Sequence, residues 1–329
     1  MNRRVFLGAV ATGFALTPRR AAAQPQGKVA RIGLLSFASR QTLQDTGRYE
    51  AFVQGMRDLG YAEGQGLVIE SRFADGNTER IPPLVAELVR LNVTVIVGAG
   101  TPVIRALQHT TATIPVVAAI TNDPVGEGFA ATMARPGGNI TGLTATAADL
   151  GSKLLDLLKA VVPKLSRIAV LAQPENVAHP AQLMRTLSVA QKVGIHVVLA
   201  EVRTAAEIER EFAMLTKERV SAAIVLADPF FLQESRALAA QALRHRLPSI
   251  SAMQEYAGAG GLMGYGADLV DNYRRAAAYV DKILKGAKPG DLPFEQPTRY
   301  YLVINLKTAG ALGLAMPPPL LRQADQVIQ

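Results

Sequence analysis

One order of landmarks occurs twice in this chain, and that repetition limits the fold more than any single motif. Arg31-Ile-Gly-Leu-Leu-Ser36 reads as an apolar strand, followed by a helix ending at Leu59-Gly60, the apolar run Val93-Thr-Val-Ile-Val-Gly98, and a further strand opening at Ile114-Pro115-Val116. The same grammar returns with Arg167-Ile-Ala-Val-Leu-Ala172, a helix ending at Val193-Gly194, Ala222-Ala-Ile-Val-Leu-Ala227, and Leu247-Pro248-Ser249. Gly60, Val93 and Ile114 stand 29, 62 and 83 residues beyond Arg31; Gly194, Ala222 and Leu247 stand 27, 55 and 80 beyond Arg167. Short apolar strands alternating with amphipathic helices build a parallel sheet flanked by helices. Two such sets at near-equal spacing predict an α/β chain of two similar Rossmann-like lobes. The period is too long for a solenoid, whose units run to roughly 20–50 residues.

Within the first set, Ile32 to Phe37 is a buried strand and Arg48 to Leu59 a helix with Phe52, Met56 and Leu59 on one face. Leu67 to Phe73 is a strand, Thr78 to Leu91 a helix with Pro82 in its first turn, and Ile140 to Ala145 the last strand. The tail adds a strand at Leu262 to Tyr265 and a helix at Asp268 to Lys285 whose apolar face carries Tyr273, Ala277, Val280 and Leu284. A Pro/Gly-rich stretch, Gly286 to Pro297, leads to a strand at Tyr300 to Leu306 and a short helix at Lys307 to Leu314. A helix and a strand left over after two lobes return one to each. That predicts a multi-stranded hinge with crossings near Thr144 to Ala148, Gly258 to Gly264 and Pro293 to Pro297. The expected division is 24–145 with 265–286 in the first lobe, and 146–264 with 287–329 in the second.

Composition removes most enzymatic chemistry. The 329 residues contain no cysteine, hence no disulfide, thiolate metal site or thiol nucleophile, and the four histidines (His109, His179, His196, His245) have no metal-ligand spacing. Neither G-x-x-x-x-G-K-[ST] nor G-x-S-x-G is present, and Gly98-x-Gly100 is followed by Val103 where a dinucleotide fingerprint needs Gly or Ala. No cofactor is expected. The net charge of +8 includes Arg3, Arg4, Arg19 and Arg20; without them 31 Lys+Arg face 27 Asp+Glu. Spread over the remaining chain, that balance describes a solvated surface and argues against nucleic acid as a partner.

The first 23 residues have the three parts of an export signal: the pair Arg3-Arg4, an apolar stretch from Val5 to Leu16, and Ala21-Ala22-Ala23 as a cleavage site. The run Arg-Arg-x-Phe-Leu resembles the twin-arginine signal for folded proteins, with the general secretory route as the alternative. The apolar stretch is shorter than the roughly 20 residues a spanning helix needs, and without cysteine there is no lipid anchor. The expectation is a mature, monomeric protein in the periplasm, starting near Gln24.

In open parallel sheets ligands bind beyond the carboxyl ends of the strands, which selects the loops to inspect. Ser36 and Phe37 follow the first strand. Gly98, Ala99, Gly100 and Thr101 lead into a helix with Pro102 in its first turn; amides there suit a carboxylate, and equally suit any tight strand-to-helix turn. Thr121, Asp123 and Pro124 follow the next strand. In the second half the corresponding positions are Asn176, Asp228 and Phe230. Asp228 is either an N-cap ahead of Pro229 or the acceptor of a ligand's ammonium group. Phe37, Phe230 and Tyr265 are either core residues or the apolar walls of a pocket.

Gly98-Ala-Gly-Thr-Pro102, Asp123-Pro-Val-Gly126, Ala134-Arg-Pro-Gly-Gly-Asn-Ile-Thr-Gly142, Ala227-Asp-Pro-Phe230, Gly260-Gly-Leu-Met-Gly-Tyr-Gly266 and Leu302-Val-Ile-Asn-Leu-Lys-Thr-Ala309 together resemble exported ABC transporter substrate-binding proteins of the type I periplasmic binding fold, the tryptophan-receptor-like group among them. The resemblance implies a serine in many relatives where this chain has Gly264. The resemblance implies a receptor and not an enzyme: capture of a small solute, amino acid first and aromatic acid second, and its delivery to an ABC permease and its ATPase by hinge closure. The rival expectations are an exported Rossmann-type enzyme acting on a sugar or hydroxy acid, and a receptor that signals to a membrane kinase.

Overall fold

The computed structural model describes residues 29–145, 150–176, 178–297 and 299–329. The expected export signal with Arg3, Arg4 and Ala23, and residues 146–148 of the first expected crossing, lie outside them. No described helix is long and apolar enough to cross a membrane.

The first sheet is built from β1 (Ala30–Ser36), β2 (Ala62–Glu63), β3 (Gly66–Phe73), β4 (Val95–Ala99), β5 (Val116–Thr121) and β6 (Ile140–Thr144), in the spatial order β2-β3-β1-β4-β5-β6. All its pairings are parallel. Its helices are α1 (Arg40–Asp45), α2 (Arg48–Asp58), α3 (Ile81–Arg90) and α4 (Thr101–Thr110). Alternate strand residues face opposite layers. Ile32, Leu34, Val95, Val97 and Val117 pack with Phe52 and Met56 of α2, whereas Leu35, Ile96, Val116 and Ala118 pack with Val85, Leu88, Val103 and Ile104 of α3 and α4.

The second sheet comprises β7 (Arg167–Ala172), β8 (His196–Glu201), β9 (Ala222–Val225), β10 (Ser249–Ser251), β11 (Met263–Ala267), β12 (Tyr300–Asn305) and β13 (Gln326–Ile328), in the order β13-β12-β11-β10-β9-β7-β8. Only the β11–β12 pair is antiparallel. Around it lie α5 (Leu150–Val161), α6 (His179–Lys192), α7 (Ala205–Lys217), α8 (Pro229–Gln233), α9 (Ser235–Arg244) and α10 (Glu255–Gly258). The long α11 (Leu269–Leu284) returns to the first lobe and packs on α2, while α12 (Leu306–Leu312) and α13 (Pro318–Gln323) stay with the second. The two-lobed α/β architecture is therefore the one the repeat predicts.

The α2–α11 crossing is close because Gly55 has no side chain: a Cβ there would lie 2.9 Å from both the Arg274 carbonyl oxygen and the Ala277 Cβ. Asp268 caps α11 by accepting from the Asp271 amide, and Asn272 donates to the carbonyls of Ala119 (3.2 Å) and Thr144 (3.1 Å), fixing the helix start to the ends of β5 and β6.

Three crossings join the lobes, and two differ from expectation. Gly258 to Gly264 is not one of them, since α10 and β11 both belong to the second lobe. The chain crosses instead between Ala267, the last residue of β11, and the Asp268 cap, so Tyr265 lies in the second sheet and not in the returning segment. The stretch after α11 stays with the first lobe as far as Glu295: the Phe294 amide donates to Met133, the Glu295 amide to Gly142, and the Thr144 amide to Glu295. The third crossing is thus confined to the few residues before β12. Ala145, Ala267 and Leu269 form a small cluster with Ile120 and Tyr300, where the crossings meet.

Gly264 has a packing reason. A Cβ at this position would fall 2.6 Å from the carbonyl oxygens of Met253 and Gln254, and one at Gly266 would fall 2.8 Å from that of Ala252. Bare glycines let β11 lie against the 252–254 loop. Gly264→Ser is expected to destabilise the protein by about 1–3 kcal/mol, as overpacking against backbone does. Urea denaturation measures it; an unchanged midpoint would show that the loop gives way freely.

Candidate ligand cleft between the lobes

The carboxyl ends of both sheets face a shared cleft. The first lobe contributes Ser36 from β1, Ala99, Gly100 and Thr101 at the β4–α4 turn, Thr121 and Asn122 after β5, Arg48 from α2, and Leu269 and Tyr273 from α11. The second contributes Asp228, Pro229 and Leu232 around α8, with Ala252 and Met253 after β10. The space between them, open solvent at its mouth included, is about 670 Å³. The lobes also touch directly. Arg48 pairs with Glu255, Arg185 with Asp123 at 3.2 Å, and the position a Gly100 Cβ would take is 3.2 Å from Cγ of Pro229. Gly100 sits at φ +103°, a conformation that favours glycine.

Amides at the α4 start are scarcer than the loop chemistry suggests. The Gly100 amide donates to Ile120, the Val103 amide donates to Gly100, and Pro102 has no N–H. Only the Thr101 amide is left at this turn for a ligand. The cation of the cleft is Arg48, 2 % exposed. Its guanidinium reaches Glu255 with one nitrogen, while its Nε and the second oxygen of Glu255 are buried without a hydrogen-bond partner. Beside it Tyr273 hydrogen-bonds Ser36; burial pushes the phenol up to about 12, against the opposing effects of Arg48 and Ser36, so it is neutral.

Asp228 faces the cleft from the other lobe and is also an N-cap. One carboxylate oxygen accepts from the Phe230 amide at 2.7 Å and the other from Asn176 Nδ2 at 2.7 Å. His179 Nε2 lies 3.8 Å away, but burial lowers the imidazole's pKa, outweighing the attraction of Asp228, and Nδ1 accepts from the Gln173 amide. A neutral imidazole places no positive charge beside Asp228.

Of the residues expected at the site, Ser36, Ala99, Gly100, Thr101, Thr121 and Asp228 border the cleft. Phe37, Phe230 and Tyr265 do not. Phe37 packs in the core with Ile81 and Val85, Phe230 lies against Phe231 at 5.6 Å, and Tyr265 stacks on Tyr300 at 5.6 Å. A ring at a strand end faces whichever layer the strand's alternation dictates, and here that is the core or the neighbouring strand. Gly98 lies under α4, where a Cβ would be 2.6 Å from Ile104 Cδ1. Asn176 supports Asp228 from behind, Pro124 is buried in its own loop, and Asp123 makes the rim pair with Arg185. Arg48 and Tyr273 border the cleft without having been among the expected site residues. Arg48 had a signal: a cation at the first position of a helix opposes the macrodipole, which favours acids there.

A third carboxylate lies behind the floor. Glu127, 6 % exposed, accepts from Thr121 Oγ1 at 3.0 Å and from Thr101 Oγ1 at 3.2 and 3.3 Å. Burial raises its pKa, opposed by these hydrogen bonds, by one with the Asp123 backbone and by Arg105. The stability tied to a raised carboxyl is fully present below the ordinary glutamate pKa and is lost as pH rises through the folded value. Unliganded Glu127→Gln is therefore expected to gain stability relative to wild type between about pH 4 and pH 8. Melting temperatures at the two pH values check this; a difference independent of pH would contradict it.

Residues 31–328 match the family described as ABC transporter substrate binding protein. Among curated proteins, the chain is 23% identical over 289 residues to a tyrosine-binding protein of Clostridioides difficile strain R20291, covering 87% of this chain and 82% of that one. Among solved structures it is similar to a domain from Streptococcus pneumonia in complex with L-Trp (27% identity, TM-score 0.84, 91% of this chain and 99% of that one). It is also similar to a conserved domain protein from Vibrio cholerae (26% identity, TM-score 0.85, 91% and 100%). The chain belongs to the ABC transporter substrate-binding protein family, whose members are receptors and not enzymes.

Proposed function

We propose that this receptor captures a free α-amino acid with an apolar, preferably aromatic, side chain, and hands it to an ABC permease and its ATPase outside the cytoplasmic membrane. The observation that carries the reading is the charge of the cleft: among the described residues that border it, Arg48 is the one cation and Asp228 the one carboxylate, and they come from opposite lobes. That pair complements a zwitterion. Leu43, Ile120, Leu232, Met253 and Tyr273 supply the apolar surround, the usual make-up of a small-molecule site with few polar anchors. Two relatives, one a tyrosine-binding protein and the other a domain in complex with L-Trp, agree with it.

Capture then works by population shift. A ligand that touches both lobes favours the closed arrangement by its differential affinity for it, and the Arg48–Glu255 and Asp123–Arg185 pairs form only when the lobes meet. The three crossings absorb the motion.

A thermal-shift panel of amino acids, aromatic acids, sugars and nucleosides tests the reading. A ligand at 100 times its Kd adds about 2.7 kcal/mol of stability. An aromatic or large apolar amino acid is expected to give the largest shift; a sugar or nucleoside hit with none among amino acids would overturn it.

A further inference from the structure

We propose that Glu127 is a positioning residue that turns the first-lobe floor of the cleft into an acceptor surface, so that the receptor selects ligands bearing an ammonium group over their deaminated counterparts. The proposal rests on the amino-acid reading above and deepens it by naming what sets the selectivity.

Glu127 does not border the cleft, but both of its hydrogen-bond donors do. Thr101 and Thr121, 4 % and 0 % exposed, present their side of the floor to the ligand while their hydroxyls point back to the Glu127 carboxylate. A threonine hydroxyl has one proton and two lone pairs, and an ionised carboxylate only accepts. Above the pH at which Glu127 ionises, each hydroxyl spends its proton on it and can meet a ligand only as an acceptor. Unheld, the same hydroxyl would rotate to donate to a carboxylate as readily as it accepts from an amine.

The layers of the fold sort the two signs. Thr101 opens α4, on the sheet face opposite to α2 and α11, and the contact between Gly100 and Pro229 brings this turn against the Asp228 loop. Arg48 and the Tyr273–Ser36 pair enter from the α2–α11 side. The acceptors Thr101, Thr121 and Asp228, backed by Glu127, therefore occupy one part of the cleft and the guanidinium another. Arg105 of α4 acts on Glu127 through space, and a hydrogen bond from the Asp123 backbone joins the two threonines in favouring the ionised carboxylate against burial. A buried carboxylate held by neutral donors is costly for folding alone, and it is suited to favouring a nearby positive group.

The test titrates ligand-free wild type and Glu127→Gln calorimetrically with L-tryptophan and 3-indolepropionate, which differ only in the amino group, and repeats it with L-tyrosine and 3-(4-hydroxyphenyl)propionate. Wild type is expected to prefer each amino acid. In Glu127→Gln the preference falls about 10-fold or more, the scale of a hydrogen bond to a charged group, while affinity for the deaminated acid stays within about 2-fold. An unchanged preference, or an equal loss for both members of a pair, overturns the proposal and makes Glu127 a structural residue. Wild type that binds the deaminated acids as tightly as the amino acids overturns it too, leaving a carboxylate receptor. Wild type that binds none of the four overturns the aromatic amino-acid reading and this proposal with it.

Discussion

Asp228→Asn is expected to weaken binding of L-tryptophan or L-tyrosine by about 30-fold or more, because truncating one partner of a buried charge pair costs roughly 2–5 kcal/mol. The fold should tolerate the change. Asparagine is as good an N-cap as aspartate, and its amide oxygen can still accept from the Phe230 amide. The conflict is with Asn176, which now donates to the carboxylate and whose own oxygen accepts from Ala178; one strained hydrogen bond costs about 1 kcal/mol. Calorimetric titration beside a melting curve separates the two effects. Unchanged affinity would reduce Asp228 to its capping role.

Arg48→Met is expected to produce the larger loss, about 100-fold or more, and for amino acids and deaminated acids alike, since the guanidinium answers the carboxylate they share. It also costs stability. Breaking a buried pair by removing one partner costs about 3–5 kcal/mol when both are enclosed, and less here because the Glu255 side chain is 23% exposed. Adding Glu255→Gln removes the orphaned charge, so the double variant should recover most of the stability and none of the binding. Recovery of binding in the double variant would make the pair structural only.

The contrast between these sites explains what the sequence made legible. Asp228, Ser36, Thr101 and Thr121 end apolar runs, and a parallel sheet brings the carboxyl ends of such runs to one edge, so period and loop chemistry suffice to find them. Arg48 meets Glu255 across 207 residues of chain, a contact no local pattern encodes. Tyr273 sits in the apolar stripe of α11 at helical spacing, and nothing local separates the ring that walls the cleft from Val280, which packs in the core. Phe37, Phe230 and Tyr265 failed the other way: their place at strand ends was legible, the layer they face was not. The glycines from Gly258 to Gly264 suggested a hinge, yet Gly261 leaves room for the ring of Tyr256 and Gly264 for the backbone of the 252–254 loop. Close packing and flexibility ask for the same residue.

The charge arrangement of the cleft is tested most directly by a crystal structure of the protein with L-tryptophan or L-tyrosine bound. The account predicts the amino acid between the sheets, its carboxylate within hydrogen-bond distance of the Arg48 guanidinium and its ammonium group within reach of Asp228 and the hydroxyl oxygens of Thr101 and Thr121. A ligand seated outside the cleft, or inside it with Arg48 still held only by Glu255 and the ammonium group turned away from Asp228, would contradict it.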